Sequence, residues 1–348
     1  MAHQLNLNQQ TGKFSFFSVK EKAWHGLGQI VDQYPTSAEA LQFAGLDYEV
    51  TKEDLFTASY NSDGQLMDNT TCVKSHFATM RKDTGAVLGI VGKDYEIVQN
   101  KDAFTFFDAI VGGEGIQYET AGALGNGERI FITAKLPGYI KVGNDDLIEK
   151  YLFLTTSHDG YGSITAAFTP VRIVCNNTLN AALRNHSNSI KIRHTINAKQ
   201  RLEEAHKLMG ISNNLSSEME AIFNRWTKIS ITDKQVHKLV QSALVPNREV
   251  LAKIQQGNED QLSTHYKNIC EYAYEYTMSN PTQQLETTNG TVFGAYNGIT
   301  GYFQNVRKYK DETAKLKSLM YSGLAQQKGQ LAFDLCSEFE KDVSFLSN

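Results

Sequence analysis

The sequence lacks a hydrophobic run that could cross a membrane. It has no stretch of 18 consecutive apolar residues, whereas a transmembrane helix needs about 20. The N-terminal stretch MAHQLNLNQQTGKF contains no apolar core of the signal-peptide kind. We therefore expect a cytoplasmic protein.

Cysteine is scarce, and histidine and glycine form no recognised site motif. The four cysteines are Cys72, Cys175, Cys270 and Cys336. They form no CxxC pair, which argues against a zinc ribbon or a disulfide framework. The nine histidines form no HExxH or HxH motif, so we expect no metal site. Residues 26–28 (GLG) do not form the GxGxxG motif of a dinucleotide site. Residues 122–130 (GALGNGERI) lack the Lys-Ser/Thr of a phosphate-binding loop, so we expect no cofactor.

Charge is unevenly distributed, although the net charge is only −4. Residues 1–170 contain 13 Lys and Arg against 21 Asp and Glu, whereas residues 171–348 contain 21 against 17. Within residues 171–210 the count is 7 against 2. Such local basic patches on an acidic chain favour directed contact with an anion. The alternative is that they are solvated helix faces.

The first half of the chain shows the alternation of β-strands. Its strand-like segments are separated by turn sequences such as NSDG (61–64) and KDTG (82–85). One helix is predicted over residues 100–113, with Asn100 as its cap and a glycine pair at its end.

The second half shows mostly helical spacing, although YAYEYT (272–277) alternates like a strand. Strands and helices come in blocks and not in βαβ alternation, so we predict an α+β fold. It would have a β-rich antiparallel N-terminal half with packed helices (1–195) and a helical C-terminal half (196–348).

The segment TPVRIVCNNTLNAAL (169–183) predicts a helix with two different sides. Thr169 suits the N-cap and Pro170 the first helical position. A small apolar side would bury Cys175, making its thiol inert. The other side would carry Arg172, Asn176, Asn180 and Arg184, each four residues from the last and therefore neighbours on a helix surface.

This row of Arg and Asn side chains suits contacts to phosphate oxygens and base edges. Asn weakens a helix interior, so the row as a unit favours a ligand, and the alternative is that it ties down loops of its own fold. SIKIRHT (189–195) predicts a short strand with Lys191 and Arg193 on one face. The candidate nucleic-acid site is therefore Arg172, Asn176, Asn180, Arg184, Lys191 and Arg193. A secondary basic patch consists of Arg307, Lys308 and Lys310.

Several ungapped motifs, in order, resemble the phage/plasmid-like protein family, also called domain of unknown function 932. They are AWHGLG (23–28), GKDYEIVQN (92–100), LFLTTSHDG (152–160), the segment 169–183, IRHT (192–195), TVFGAYNGITGYF (291–303) and SGLAQQKGQLAFDL (322–335). The chain departs from the family pattern at Phe293, where Trp is expected, and at Gly301, where an acidic residue is expected. The resemblance implies a protein of a bacteriophage, plasmid or related element, acting in a bacterial host. It supplies no catalytic residues.

Three functions remain open at this point. The first is a non-enzymatic DNA-binding protein, in particular an oligomeric protein that binds or anneals single strands in replication or recombination. The second is an interaction protein whose acidic N-terminal half mimics DNA or binds a host defence protein. The third is an enzyme with an unrecognised metal site or a Cys175 site paired with His158, His186 or His194.

Overall fold

The computed structural model describes most of the chain in segments. These are residues 5–9, 11–20, 27–67, 70–111, 117–172, 177–178, 189–195, 197, 206–310, 314–315, 318–319 and 323–342. The strands are β1 (Leu7–Asn8), β2 (Lys13–Phe14), β3 (Phe16–Val19), β4 (Gln29–Val31), β5 (Val50–Thr57), β6 (Thr71–Arg81), β7 (Val87–Gly92), β8 (Gln117–Leu124), β9 (Arg129–Val142), β10 (Asp146–Ser157), β11 (Ile164–Arg172), β12 (Asn177–Thr178) and β13 (Ser189–Ile192).

The larger sheet has the strand order β12-β11-β10-β9-β8-β3-β4. Its pairs are antiparallel except β3 with β4, which is parallel. Strand β13 pairs with the first part of β11, and β12 pairs with the end of β11. A separate antiparallel sheet has the order β5-β6-β7. The long β8–β9–β10–β11 meander therefore forms the centre of the β-rich half.

The helices are α1 (Ser37–Phe43), α2 (Asn100–Val111), α3 (His206–Trp226), α4 (Asp233–Leu244), α5 (Arg248–Gln255), α6 (Thr264–Ser279), α7 (Val292–Gly301) and α8 (Leu324–Lys341). A π-helix, Tyr302–Val306, continues α7. Thr232 begins α4 with a capping box, in which its side chain accepts from the Gln235 backbone while the Gln235 side chain accepts from the Thr232 backbone. Side-chain caps also begin α1, α5, α6 and α7, whereas α8 begins after Gly323 without one.

Most buried apolar residues belong to one core that joins the larger sheet to the helices. It includes Ile130, Leu154 and Ile164 of the sheet together with Phe223 and Phe333 of the helices. The even-numbered positions of β9, β10 and β11 supply these sheet residues, because successive strand residues point to opposite faces. The α+β class and the β-rich and helical halves are thus confirmed, while the division into two domains at residue 195 stays a prediction.

Three local predictions are wrong. Thr169 and Pro170 lie in β11 and begin no helix. Strand β13 pairs with β11 before Pro170, and β12 pairs with β11 after it. On that side Pro170 therefore has no strand partner among the described residues, which is a position where sheets accept proline. The segment YAYEYT lies inside helix α6, where tertiary packing buries Tyr276. Asn100 is the first residue of α2 but does not cap it, because its side chain bonds the Leu46 carbonyl and the His158 ring.

Candidate functional site

A cavity of about 300 Å³ lies over the odd-numbered residues of β10, β11 and β13, and Gln326 of helix α8 also lines it. Its floor consists of odd-numbered residues of β10, β11 and β13, and its wall is the turn that joins β10 to β11. The lining side chains are Arg129, Thr155, Thr156, Ser157, Tyr161, Ser163, Thr165, Ala167, Ser189, Lys191 and Gln326, together with Gly162. Most of them carry a hydroxyl, an amide or a positive charge.

Strand register brings these distant residues together. Thr155 of β10 lies opposite Thr165 of β11, and Thr165 lies opposite Lys191 of β13. Ser157 lies opposite Arg129 across the β9–β10 pair. Paired residues of antiparallel strands share one face of the sheet, so the two cations and the hydroxyls converge on one side.

The floor of the cavity contains a buried hydroxyl that is not used by the fold. Ser157 is only 2% exposed, and its Oγ has no hydrogen-bond partner among the described residues. The Thr155 hydroxyl, by contrast, donates to the Ile130 carbonyl at 2.8 Å. A Cβ on Gly162 would lie 2.2 Å from the Ser157 Oγ, so only glycine lets the turn come this close. An unpaired buried hydroxyl costs free energy unless a ligand satisfies it.

The wall of the cavity is held by Asp159. Its carboxylate accepts from Arg129 Nη2 at 3.2 Å and from the backbone N–H of Tyr161 at 2.8 Å. The turn therefore stays beside Arg129 and presents Tyr161 at the rim, where this side chain is 90% exposed. A large aromatic ring so exposed offers a flat surface on which a ligand ring can stack.

His194 and His158 form hydrogen bonds near the C-terminal end of β10. Neither ring adds positive charge to the cavity. His194 Nε2 hydrogen-bonds the Thr156 hydroxyl at 3.1 Å, and the Tyr95 ring stacks on the His194 ring at 4.8 Å. Burial lowers the pKa of His194, and burial lowers the pKa of His158 to about 3. Both imidazoles are therefore neutral near pH 7, and the positive charge comes from Arg129 and Lys191.

Two of the six predicted site residues are described with their side chains. Lys191 lines the cavity, and Arg193 is exposed two residues further on, whereas Ile192 is buried on the other face. The predicted alternation of Lys191 and Arg193 with Ile192 is thus confirmed, but the strand ends at Ile192 and not at residue 195. Arg172 is the last residue of β11, paired with Asn177 of β12, and the predicted helical row does not start there.

The remaining predicted residues, Asn176, Asn180 and Arg184, lie outside the described residues, as does Cys175. The proposed pairing of Cys175 with a histidine therefore stays a prediction. Among the cysteines that the structure describes, Cys270 and Cys336 are buried. Burial raises the pKa of the Cys270 thiol to about 11, which disfavours a nucleophilic role for that thiol.

The secondary basic patch follows the π-helix. Arg307 lies over the rings of Phe303 and Tyr309, at 5.6 and 5.5 Å from their centroids. Its side chain is partly buried, while Lys308 and Lys310 are exposed. Strand β12 packs against this π-helix, so the end of β11 and the patch are neighbours.

Sequence reasoning missed Arg129, Ser157 and Tyr161. A weak signal for the hydroxyls is their spacing of two, Thr155 with Ser157 and Ser163 with Thr165, which is the period of one strand face. No such signal exists for Arg129, whose place beside Ser157 depends on the strand register.

A family model described as a domain of unknown function, DUF932, matches residues 87–320. The chain belongs to the DUF932 family. The match includes β7 to β13, so every cavity residue except Gln326 lies within the family region. No curated protein and no solved structure matches the chain.

Within the described residues, no three or more histidine, cysteine, aspartate or glutamate side chains are grouped closely enough to hold a metal ion. Across the same parts of the chain, no helix has both the length and the apolar character required to cross a membrane.

Proposed function

We propose that this protein binds single-stranded nucleic acid, with a phosphate in the cavity and a base on Tyr161. The observation that carries this proposal is the joint placement of Arg129, Lys191 and a buried unpaired Ser157 hydroxyl beneath a tyrosine that is 90% exposed. Cations and hydroxyls bind phosphate oxygens, whereas an exposed aromatic ring binds any base by stacking.

Single strands fit this arrangement better than duplexes. The bases of a duplex stack on each other and present only their edges in the grooves. An unpaired base is free to stack on Tyr161 while its phosphate reaches the cavity next to that residue. Lys191 of β13 and the exposed Arg193, which directly follows this strand, extend the positive charge, so a neighbouring phosphate can also be contacted.

The resemblance to phage and plasmid proteins supports DNA of a mobile element as the ligand. In that setting, a protein that binds single strands would act in replication or recombination. Because this step rests on the resemblance and not on the geometry of the cavity, the binding experiment includes RNA of the same sequence beside the DNA strand.

Fluorescence anisotropy with labelled oligonucleotides at two salt concentrations tests the proposal. Tyr161→Ala should weaken binding by about 1–3 kcal/mol, the range for loss of one stacked base. Lys191→Ala should reduce the slope of log K against log salt by about 0.7, the value for one phosphate contact on a single strand.

The matched controls are Tyr272→Ala and Lys234→Ala. Both side chains are exposed and lie on helices that do not line the cavity, so neither change should alter binding. Absence of binding to any strand even at low salt would remove the proposal, because phosphate contacts strengthen as salt falls.

We also propose that the protein self-associates through the β5–β6 ribbon. This ribbon continues beyond the residues of β6 that pair with β7 and exposes Phe56 (60%). The segment that joins β5 to β6 exposes Leu66 (62%), which forms an isolated bridge with Tyr60. No strand pairs with the outer edge of β5 among the described residues. A two-stranded ribbon is only marginally stable alone, and an open edge with apolar side chains suits a second copy of the same ribbon.

Sedimentation velocity tests this self-association. The wild type should sediment as an oligomer, and the double variant Phe56→Ser with Leu66→Ser as a monomer. Val87→Ser is the control, because Val87 is an equally exposed apolar residue on β7. A monomeric wild type, or a double variant that stays oligomeric, would contradict the proposal.

A further inference from the structure

We infer that the cavity is specific for a terminal phosphate, the monoester at the end of a nucleic acid strand. The inference rests on the proposed binding of single strands and specifies which phosphate of the strand enters. It is carried by three properties of the cavity: its closed floor, its number of donors and the position of Tyr161 at its rim.

The sheet below the cavity and the turn on one side limit how deeply a continuous strand can enter it. Strands β9, β10, β11 and β13 form an unbroken hydrogen-bonded ladder below it. The turn of residues 159–163 covers one side so closely that Gly162 has no room for a side chain above Ser157. A phosphodiester is attached to sugars on both sides and needs an open groove. A terminal phosphate is attached on one side only and can enter through the mouth.

The donors at the floor also fit a terminal phosphate better than a diester. A terminal phosphate offers three non-ester oxygens and about −1.5 to −2 charges near pH 7, whereas a diester offers two such oxygens and a single charge. Arg129 and Lys191 supply the cations, and Ser157 supplies a hydroxyl that no described residue uses. Asp159 offsets part of the Arg129 charge, and the exposed Arg193 next to Lys191 adds to the positive side.

The rim places an aromatic ring where the terminal base would lie. Tyr161 belongs to this turn and directly precedes Gly162, the residue that packs against Ser157. A nucleotide whose phosphate is in the cavity would have its base close to this ring. The cavity volume of about 300 Å³ is at the lower end for small-molecule sites, which suits one phosphate with part of its sugar.

The test compares three single-stranded oligonucleotides of one sequence, with an internal label. One ends in a 5′-phosphate, one in a 3′-phosphate, and one has hydroxyls at both ends. The full-length protein should bind one of the phosphorylated strands at least about tenfold more tightly than the hydroxyl-ended strand, as charge-assisted hydrogen bonds are the strong ones.

Ser157→Ala should reduce this preference to about twofold, because it removes one donor to the charged oxygens. The variant should fold, since the hydroxyl that it deletes has no hydrogen-bond partner among the described residues, and a thermal melt checks this. Thr169→Val is the matched control. The Thr169 hydroxyl is also buried without a partner among the described residues, at an odd position of β11, but it does not line the cavity. This control should keep the full preference.

The remaining outcomes show whether the terminal-phosphate inference fails alone or together with the proposed binding of single strands. Equal affinity for all three strands would overturn the terminal-phosphate inference and leave single-strand binding standing. No binding of any strand would remove both. A nucleoside 5′-monophosphate is added as a competitor of the labelled strand. If it binds as tightly as the strand does, the cavity is a site for a free nucleotide, and recognition of a strand end is overturned.

Discussion

His158 makes the stability of this fold dependent on pH in a way that the structure specifies. Its Nε2 lies 2.9 Å from the Asn100 Oδ1, while the Asn100 Nδ2 donates to the Leu46 carbonyl at 3.0 Å. The amide oxygen must therefore accept, so His158 Nε2 carries the proton of the neutral ring. The other nitrogen, Nδ1, is buried without a partner among the described residues. A second proton there would be a buried, unpaired charge, which is why burial lowers the pKa of His158 to about 3.

The direction of the pH effect follows from this lowered pKa. In the unfolded chain the histidine has an ordinary pKa of about 6.5, so below that pH the unfolded state takes up a proton that the folded state refuses. The stability contributed by His158 is complete above about pH 6.5 and is lost as the pH falls towards 3. With these two pKa values, the loss between pH 7 and pH 5 is about 2 kcal/mol.

Urea denaturation of the wild type and of His158→Gln at pH 7 and pH 5 measures this loss. The free energy of unfolding of the wild type should fall by about 2 kcal/mol more than that of the variant, because glutamine keeps an amide donor for Asn100 but does not titrate. Contributions of groups that do not interact with His158 are common to both proteins and cancel. His265→Gln, which changes an exposed histidine, should behave as the wild type. If His158→Gln loses as much stability as the wild type, the assignment of this pH dependence to His158 is wrong.

Two further changes test how the site is supported. Gly89→Ala would place a Cβ 2.5 Å from the backbone of Asp159, so it should cost about 1–3 kcal/mol as an overpacked contact and weaken strand binding by moving the turn. Gly92→Ala on the same strand meets nothing within 4 Å and should leave the thermal melt nearly unchanged. Thr232→Ala removes the capping box with Gln235 and should lower the free energy of unfolding by about 1 kcal/mol without altering binding, as measured by urea denaturation and anisotropy.

The parts of the fold that local patterns determine could be predicted from the sequence. The alternation of Lys191 with Ile192 is set by neighbouring residues, and the structure places both side chains as expected. The segment that begins at Thr169 could not be predicted, because Thr-Pro suits a helix start as well as a strand edge. Its neighbours β12 and β13 decide between them.

The cavity could not be predicted for a different reason. Arg129 and Lys191 are far apart in the chain, and they come together only through three successive strand pairings. An error of one residue in any of these registers would send a side chain to the opposite face. Sequence reasoning found the positive charge of Lys191 but had no means to find its partners.

The tripeptide Thr155-Thr156-Ser157 serves both sides of the sheet at once. The Thr156 hydroxyl hydrogen-bonds the buried His194 ring, while the side chains of Thr155 and Ser157 lie on the odd-numbered face that forms the cavity floor. Inserting or deleting a single residue just before this tripeptide would exchange the two faces, so that the Ser157 hydroxyl would leave the cavity and enter the apolar interior. Single substitutions in this tripeptide therefore change one face at a time, whereas a change in the length of the strand would alter both faces together.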